Sequence, residues 1–150
     1  MIGKNLISVF LTTIFAAVMI NAEEIPREVT AFEPAGGVIV ILDSPGKLLV
    51  TMGVNTGDVN TVATSVTEFA VSPDGSKMIY NVKKGTHTAD NEVWVSEIPI
   101  SNNRKISDYG GYLFKWDRGS QKAYYCPEDK RDRLEMVDFI TGEKKRVELK

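Results

Sequence analysis

Short runs of apolar residues alternate with turn-forming residues along almost the whole chain after residue 28. The runs are rich in Val, Ile, Phe and Tyr, and Gly, Pro, Asp and Asn separate them. Such runs at regular spacing are typical of β-strands joined by tight turns, so the pattern predicts an all-β fold. A longer apolar run, from Leu6 to Ile20, precedes this region.

The strand pattern occurs in three copies. In their first halves the middle and last copies align at a constant shift of 45 residues, which places Phe69, Val71, Lys77 and Tyr80 over Phe114, Trp116, Lys122 and Tyr125. In the second halves Leu49, Val93 and Leu134 coincide at shifts of 44 and 41. Short strands repeated about every forty residues are typical of propeller blades.

Each copy is interpreted as a four-stranded antiparallel meander, and the three copies as blades of a partial β-propeller. The predicted blades cover about 29–66, 67–108 and 109–150. In the middle blade the predicted strands are 68–71, 78–82, 93–98 and 104–107. A Ser-Pro-Asp-Gly turn begins at Ser72, where proline fixes φ and glycine supplies a positive φ.

The N-terminus is predicted to be a targeting segment. Lys4 provides a positive charge, the apolar run follows it, and Ala22 offers a small residue at the cleavage position, as in a secretory signal peptide over 1–22. Residues 23–28 form a short lead-in. The alternative is a membrane anchor, but the run is shorter than the roughly 20 residues of a span. We therefore expect a secreted or periplasmic protein without a stable membrane anchor after cleavage.

Charge and cysteine content limit the function classes. The formal net charge is −2, with both signs mixed along the chain, which does not predict the concentrated basic face of a nucleic-acid-binding protein. Cys126 is the single cysteine, so no disulfide within the chain is expected. It lies in a predicted strand, which favours a buried or half-buried thiol.

The residues capable of chemistry form no recognisable constellation. His87 is the single histidine and has no neighbouring cysteine or carboxylate cluster, so no metal site is predicted. No G-x-S-x-G motif marks a serine nucleophile. Asp74 is interpreted as a turn former, and Trp94 and Trp116 as packing between blades, with a ligand-stacking platform as the alternative. We expect no cofactor and no catalytic residues.

The repeat resembles a known family. Residues 72–80, SPDGSKMIY, followed by Val93-Trp94-Val95, are similar to the repeat of TolB-type periplasmic β-propellers and of the propeller domains of prolyl oligopeptidase-like peptidases. Residues 134–138, LEMVD, with the Thr141-Gly142-Glu143 turn, match its second half. The first turns of the outer copies depart from it, with Glu33-Pro34-Ala35-Gly36 and Asp117-Arg118-Gly119-Ser120. The resemblance implies the blade and leaves the function open, since propellers host unrelated activities.

Three blades leave two open ends, whereas a propeller closes with about 4–8 blades. A homodimer would close a six-bladed ring, the blade number of the resembled family; an open stack and a fragment of a longer protein are the alternatives. Loop length varies between the second and third strands, in 43–47, 83–91 and 127–132. Because repeat proteins often bind through the face that accepts insertions, we expect binding residues in these loops, namely His87, Asp90 and Arg131.

The predicted function is therefore a non-enzymatic interaction module that binds a protein or peptide through its loops. The first alternative is the propeller part of a secreted prolyl oligopeptidase-like peptidase without its catalytic domain. The second is an enzyme that uses the propeller face directly, which requires facing carboxylates or a metal cluster. The acidic residues are scattered along the chain and do not identify such a pair.

Overall fold

The fold is built of β-strands, which the computed structural model describes for residues 28–44, 47–87 and 90–148. The twelve strands are β1 (Glu28–Ala35), β2 (Val38–Ser44), β3 (Leu49–Gly53), β4 (Val59–Ala63), β5 (Val66–Val71), β6 (Lys77–Val82), β7 (Glu92–Glu97), β8 (Ser101–Ser107), β9 (Gly111–Trp116), β10 (Lys122–Pro127), β11 (Leu134–Asp138) and β12 (Lys144–Val147). The described part of the chain contains no α-helix, so none is present that could cross a membrane.

The strands form three four-stranded antiparallel sheets in chain order: β1–β4, β5–β8 and β9–β12, called here blades 1, 2 and 3. The predicted all-β architecture of three meanders is confirmed. In blade 2 the observed strands begin one to three residues earlier than the sequence predicts, and β7 ends at Glu97, just before the turn that contains Pro99. The predicted signal peptide and most of the lead-in lie outside the described residues.

The turns follow the glycine pattern of the sequence. Gly75 has φ +70°, and its amide donates a hydrogen bond of 2.8 Å to the carbonyl of Ser72. Gly57 and Gly142, in the last turns of blades 1 and 3, have φ of +72° and +73°. In blade 3, which lacks the SPDG sequence, Ser120 takes the place of Gly75 at φ +55°. A left-handed residue is therefore required at this point of the turn in both blades.

Two of the three buried hydrophobic clusters lie between the blades, and the third, formed by Ile39, Ile41, Val50 and Met52, lies on blade 1 alone. One cluster joins blades 1 and 2 around Val40, Leu49 and Tyr80, and Trp94 packs against it. A second joins blades 2 and 3 around Val95, Tyr125 and Phe139, and Trp116 packs against it. Trp116 also donates its indole N–H to the carbonyl of Ala70 at 3.2 Å. Both tryptophans thus occupy the positions expected for packing between blades.

Carboxylates reinforce these interfaces. Glu33 of blade 1 accepts a hydrogen bond of 2.9 Å from the backbone amide of Val71 in blade 2. Glu68 of blade 2 accepts one of 3.0 Å from the amide of Leu113 in blade 3. Each bond links a side chain of one blade to the first strand of the next. Because a charged acceptor strengthens a hydrogen bond, these links fix how consecutive blades sit against one another.

Candidate binding face

One end of the three sheets carries the variable loops. In an antiparallel meander alternate connections lie at the same end, so the links after the second and fourth strands share it. We call this end the loop face; its described residues are 47–48, 64–65, 83–87, 90–91, 108–110 and 128–133. Backbone bonds hold its parts together, including Lys83 N to Ser65 O at 2.8 Å and Val66 N to Lys47 O at 2.8 Å.

The three binding residues predicted from the sequence all lie on the loop face. His87 and Asp90 belong to the β6–β7 loop, and the Asp90 amide donates a hydrogen bond of 3.1 Å to the His87 carbonyl. Arg131 belongs to the β10–β11 loop of the next blade. All three side chains are exposed, and none has a hydrogen bond or ion pair with another described residue. The structure shows where they lie; their role in binding stays a prediction.

The two loops meet through a pair of residues that sequence analysis did not single out. Asn91 donates a hydrogen bond of 3.1 Å from Nδ2 to Oε2 of Glu128. The Glu128 amide in turn donates one of 2.8 Å to the carbonyl of Gly110. A Cβ at Gly110 would lie only 2.6 Å from Cβ of Asn91, so this contact requires glycine. The sequence offers one signal for this pair, the polar Asn91 directly before strand β7.

Glu128 is a partly buried carboxyl at this junction, and its surroundings change its pKa. Burial raises the pKa of its carboxyl above the usual value, and nearby Glu68 adds to the rise. The hydrogen bond from Asn91 and the charge of Arg131 act in the opposite direction. Asn91 is itself buried, and its Oδ1 has no hydrogen-bond partner in the described structure. The junction is thus a polar contact between blades at the base of the exposed loops.

A second carboxylate of this region, Glu92, forms contacts within blade 2. Glu92 accepts a hydrogen bond of 3.0 Å from the indole of Trp94 and pairs with Lys84 at 3.6 Å and Lys105 at 3.3 Å. Burial opposes ionisation of Glu92, but these partners outweigh it and lower the pKa of its carboxyl. Glu92 therefore bonds within its own blade.

Beside the loop face, a shallow groove of about 200 Å³ lies between the last strand of blade 1, β4, and strands β6–β8 of blade 2. Its lining includes Val62, Tyr80, Lys84, Trp94 and Asn103. Burial raises the pKa of Tyr80 to about 12, so its hydroxyl is neutral at physiological pH, and it donates a hydrogen bond of 2.6 Å to Oδ1 of Asn103. The groove thus offers an aromatic wall and one lysine, and contains no acid–base pair.

No group of three or more His, Cys, Asp or Glu residues capable of holding a metal ion occurs in the described ranges. Cys126 is a free, half-buried thiol on β10, as expected for an unpaired cysteine in a strand. The arrangement therefore offers exposed polar side chains on a rigid scaffold. Such a surface suits recognition of another molecule.

Comparison with solved structures shows a likeness to β-propeller domains of peptidases. The propeller domain of the trilobed protease from Pyrococcus furiosus superposes with a TM-score of 0.63 and 14% identity, over 81% of this chain and 43% of that one. The tricorn protease gives 0.65 and 17%, over 81% and 15%. The acylaminoacyl peptidase from Pyrococcus horikoshii gives 0.62 and 10%, over 81% and 24%. No family model and no curated protein matches the sequence.

These similarities define the class of protein: the chain folds as part of a β-propeller. It spans less than half the length of the three structures compared. At such low identities the likeness concerns the fold alone, because propellers carry many unrelated functions.

Proposed function

We propose that the protein is a secreted or periplasmic, non-enzymatic interaction module of TolB-like propeller blades, which binds a protein or peptide through its loop face. The observation that carries this proposal is the position of His87, Asp90 and Arg131. Two variable loops from adjacent blades lie on one face, where these three side chains are exposed and form no hydrogen bond or ion pair with a described residue; Arg131 acts on Glu128 through its charge alone. Functional residues are commonly found on such loops held by a rigid scaffold.

The test compares two triple-alanine variants. The loop variant replaces His87, Asp90 and Arg131, and the matched control replaces Asn55, Arg118 and Glu143, which are exposed in turns at the opposite end of the sheets. Exposed substitutions typically change the free energy of unfolding by less than about 0.5 kcal/mol, so both variants should stay folded. Each immobilised protein is incubated with an extract of the secreted or periplasmic proteins of the source cell, and the retained proteins are quantified by mass spectrometry.

The proposal predicts proteins that the unmodified chain and the control variant retain and the loop variant loses. Equal retention by the loop variant, or loss with the control variant alone, would show that the loop face is not the binding surface. Thermal melting of all three proteins establishes that any loss of retention is not a loss of fold.

A second candidate is supported by the comparisons. The structures that superpose are proteases and a peptidase, and this chain covers only 15–43% of them. The chain would then be the propeller part of a peptidase whose catalytic domain is encoded separately. Sequencing the flanking reading frames tests this idea: a G-x-S-x-G motif followed by Asp and His would favour it, and flanking genes without one would count against it.

A further inference from the structure

The groove between blades 1 and 2 is lined by hydrogen-bond donors without matching acceptors. The hydroxyl of Thr64, the ammonium of Lys84 and Nδ2 of Asn103 lie along it, and none of the three donates a hydrogen bond to a described residue. No acidic residue is among the described residues that line the groove. A ligand of this groove would therefore supply the acceptor oxygens, because an ammonium group and an amide N–H group can only donate.

Neighbouring groups position the amide of Asn103 and the ammonium of Lys84. The buried hydroxyl of Tyr80 donates a hydrogen bond of 2.6 Å to Oδ1 of Asn103, which orients the amide and leaves Nδ2 as its free end. Nζ of Lys84 lies 3.6 Å from Oε2 of Glu92, an oxygen that already accepts the indole N–H of Trp94 at 3.0 Å. The Lys84 side chain is 54% exposed, so its N–H groups are available to a ligand.

The equivalent place between blades 2 and 3 shows how a carboxylate fits there. The shifts of 45 and 41 residues place Tyr125 over Tyr80 and Glu135 over Trp94. The strand pairing agrees, because Tyr80 faces Trp94 across β6 and β7, and Tyr125 faces Glu135 across β10 and β11. The hydroxyl of Tyr125 donates a hydrogen bond of 2.8 Å to Oε2 of Glu135. At this interface the chain itself places a carboxylate against the tyrosine.

The charges at the two equivalent places are opposite. The 45-residue shift places Asp129 over Lys84, and the 44-residue shift places Asp108 over Thr64. Together with Glu135, blades 2 and 3 thus have three carboxylates where blades 1 and 2 have a lysine, a threonine and a tryptophan. The second interface contains its own carboxylates, whereas the groove offers the donors alone. A ligand with a carboxylate would complete the same kind of contact.

We propose that this groove binds the C-terminal residue of a peptide, with the terminal carboxylate held by Lys84 and Nδ2 of Asn103. The side chain of that residue is aliphatic and packs beside Val62 and Trp94, which also line the groove. A carboxylate suits these donors because hydrogen bonds between charged groups are shorter and stronger than neutral ones. The volume of about 200 Å³ suits a single residue, since pockets for drug-sized ligands measure roughly 300–1,000 Å³.

The edge of strand β4 favours a peptide over a free acid. β4 is the last strand of the blade 1 sheet, and no described strand pairs with its outer edge. Val62 and Ala63 of this strand line the groove. An extended chain can form backbone hydrogen bonds with such an edge while a pocket holds one of its side chains. A peptide therefore uses both the edge and the groove, whereas a free small acid uses the groove alone.

The groove is separate from the three residues on which the loop-face proposal depends. His87, Asp90 and Arg131 do not line it, although Lys84 and His87 belong to the same connection between β6 and β7. The groove thus constitutes a second binding site, with a ligand of different chemistry, and binding there does not require the loop face.

Nuclear magnetic resonance of the two tryptophan indole groups gives a direct test. Trp94 lies at the groove and Trp116 at the interface of blades 2 and 3, so the Trp116 signal is an internal control. The probes are acetyl-Ala-Ala-Leu with a free carboxylate and the same tripeptide with a C-terminal amide. We expect the free acid to shift the Trp94 signal in a saturable manner and the amide to bind roughly tenfold more weakly. Equal binding of the two forms, or an unchanged Trp94 signal, would overturn the proposal.

Two substitutions test the donors. Asn103→Asp keeps an acceptor for the Tyr80 hydroxyl and reproduces the tyrosine–carboxylate contact of blade 3, and Lys84→Glu reverses the charge of the groove. Each should weaken binding of the free acid roughly tenfold or more, because like charges then meet in the groove. Lys83→Glu is the matched control, since Lys83 is exposed and lies outside the lining, and it should change the affinity by less than about twofold. Equal effects of the two lysine substitutions would overturn the site.

Acetyl-leucine distinguishes the two sources of a carboxylate. If it binds as tightly as the tripeptide, the ligand is a free small acid and the peptide assignment is overturned. The triple loop variant should bind the tripeptide as the unmodified protein does, and thermal melting of each variant verifies the fold. Protein capture without tripeptide binding would reject the groove alone, and tripeptide binding without protein capture would reject the loop-face proposal alone.

Discussion

Two tyrosines at equivalent positions of neighbouring blades differ in the partner of their hydroxyl group. Tyr80 donates to the amide oxygen of Asn103 at 2.6 Å, and Tyr125 donates to a carboxylate oxygen of Glu135 at 2.8 Å. The rings are 1% and 0% exposed, and burial raises the pKa of both hydroxyls, so both are neutral donors at pH 7. Removing each hydroxyl with phenylalanine therefore compares a neutral hydrogen bond with a charge-assisted one in the same fold.

The expected costs follow from these partners. A hydrogen bond between neutral groups contributes about 0.5–1.5 kcal/mol to the free energy of unfolding, and one to a charged group about 1.5–3 kcal/mol. Asn103 is exposed, so water can replace the lost donor, and Tyr80→Phe should cost about 0.5–1 kcal/mol. Glu135 is less exposed, so Tyr125→Phe should cost about 1.5–2.5 kcal/mol.

Urea unfolding followed by tryptophan fluorescence measures both costs, at one fixed protein concentration because association also affects stability. With a urea dependence of about 1.5 kcal/mol per molar, Tyr125→Phe should lower the midpoint by about 1–1.7 M and Tyr80→Phe by about 0.3–0.7 M. Tyr124→Phe is the control, since no hydrogen bond of its hydroxyl occurs within the described structure. A cost for Tyr125→Phe equal to or below that of Tyr80→Phe would refute the reasoning.

Two further predictions concern the first turn of blade 2. Gly75→Ala should lower the free energy of unfolding by about 1 kcal/mol or more beyond the effect of Gly142→Ala, because the added Cβ would be overpacked only at Gly75; the same unfolding assay measures both. Both glycines have φ near +70°. A Cβ added at Gly75 would lie 2.9 Å from the amide nitrogen of Gly36, whereas a Cβ added at Gly142 would have no atom within 4 Å. Equal losses of stability would contradict this explanation. Burial opposes ionisation of Asp74, but hydrogen bonds from Ser72 and Ser76 outweigh it and hold the pKa of its carboxyl below 3.8. A carboxyl whose pKa is lower in the folded than in the unfolded protein stabilises the fold at pH values above the unfolded pKa. The free energy of unfolding of the unmodified protein should therefore exceed that of Asp74→Asn fully at neutral pH, and the difference should decline below about pH 4. A pH-independent difference would exclude this linkage.

The sequence predicts the turns and strands because their causes are local. Gly57, Gly75 and Gly142 have the positive φ that a tight turn requires, and the alternating apolar residues identify the sheet faces. The contacts between blades could not be predicted in the same way. The bond from Leu113 to Glu68 joins residues 45 positions apart, and that from Val71 to Glu33 joins residues 38 apart. Such pairs depend on the distance and angle between packed sheets, which no local pattern encodes.

The position of the variable loops follows from meander topology, so His87, Asp90 and Arg131 lie at one end of the sheets. The role of these residues in binding stays a prediction. The junction of Asn91 and Glu128 beneath them was not predicted. It exists because Gly110, from a third connection, leaves room for both side chains. A contact among three loops depends on how two blades pack together, and the sequence indicates only the order of the blades along the chain.

The substitutions along the repeat also bear on the face of blade 3 that points away from blade 2. At the positions of Ile79 and Val95, which are fully buried in blade 2, blade 3 has Tyr124 and Met136. A face exposed to water has no need of apolar residues at these positions, and lysine or glutamate would keep the strands in register equally well. Tyrosine and methionine are enriched where two proteins meet, because one combines a large ring with a polar group and the other adapts to irregular surfaces. Tyr124 and Met136 are half-buried in the structure, so the solution mass of the protein is a direct check of whether another molecule covers them.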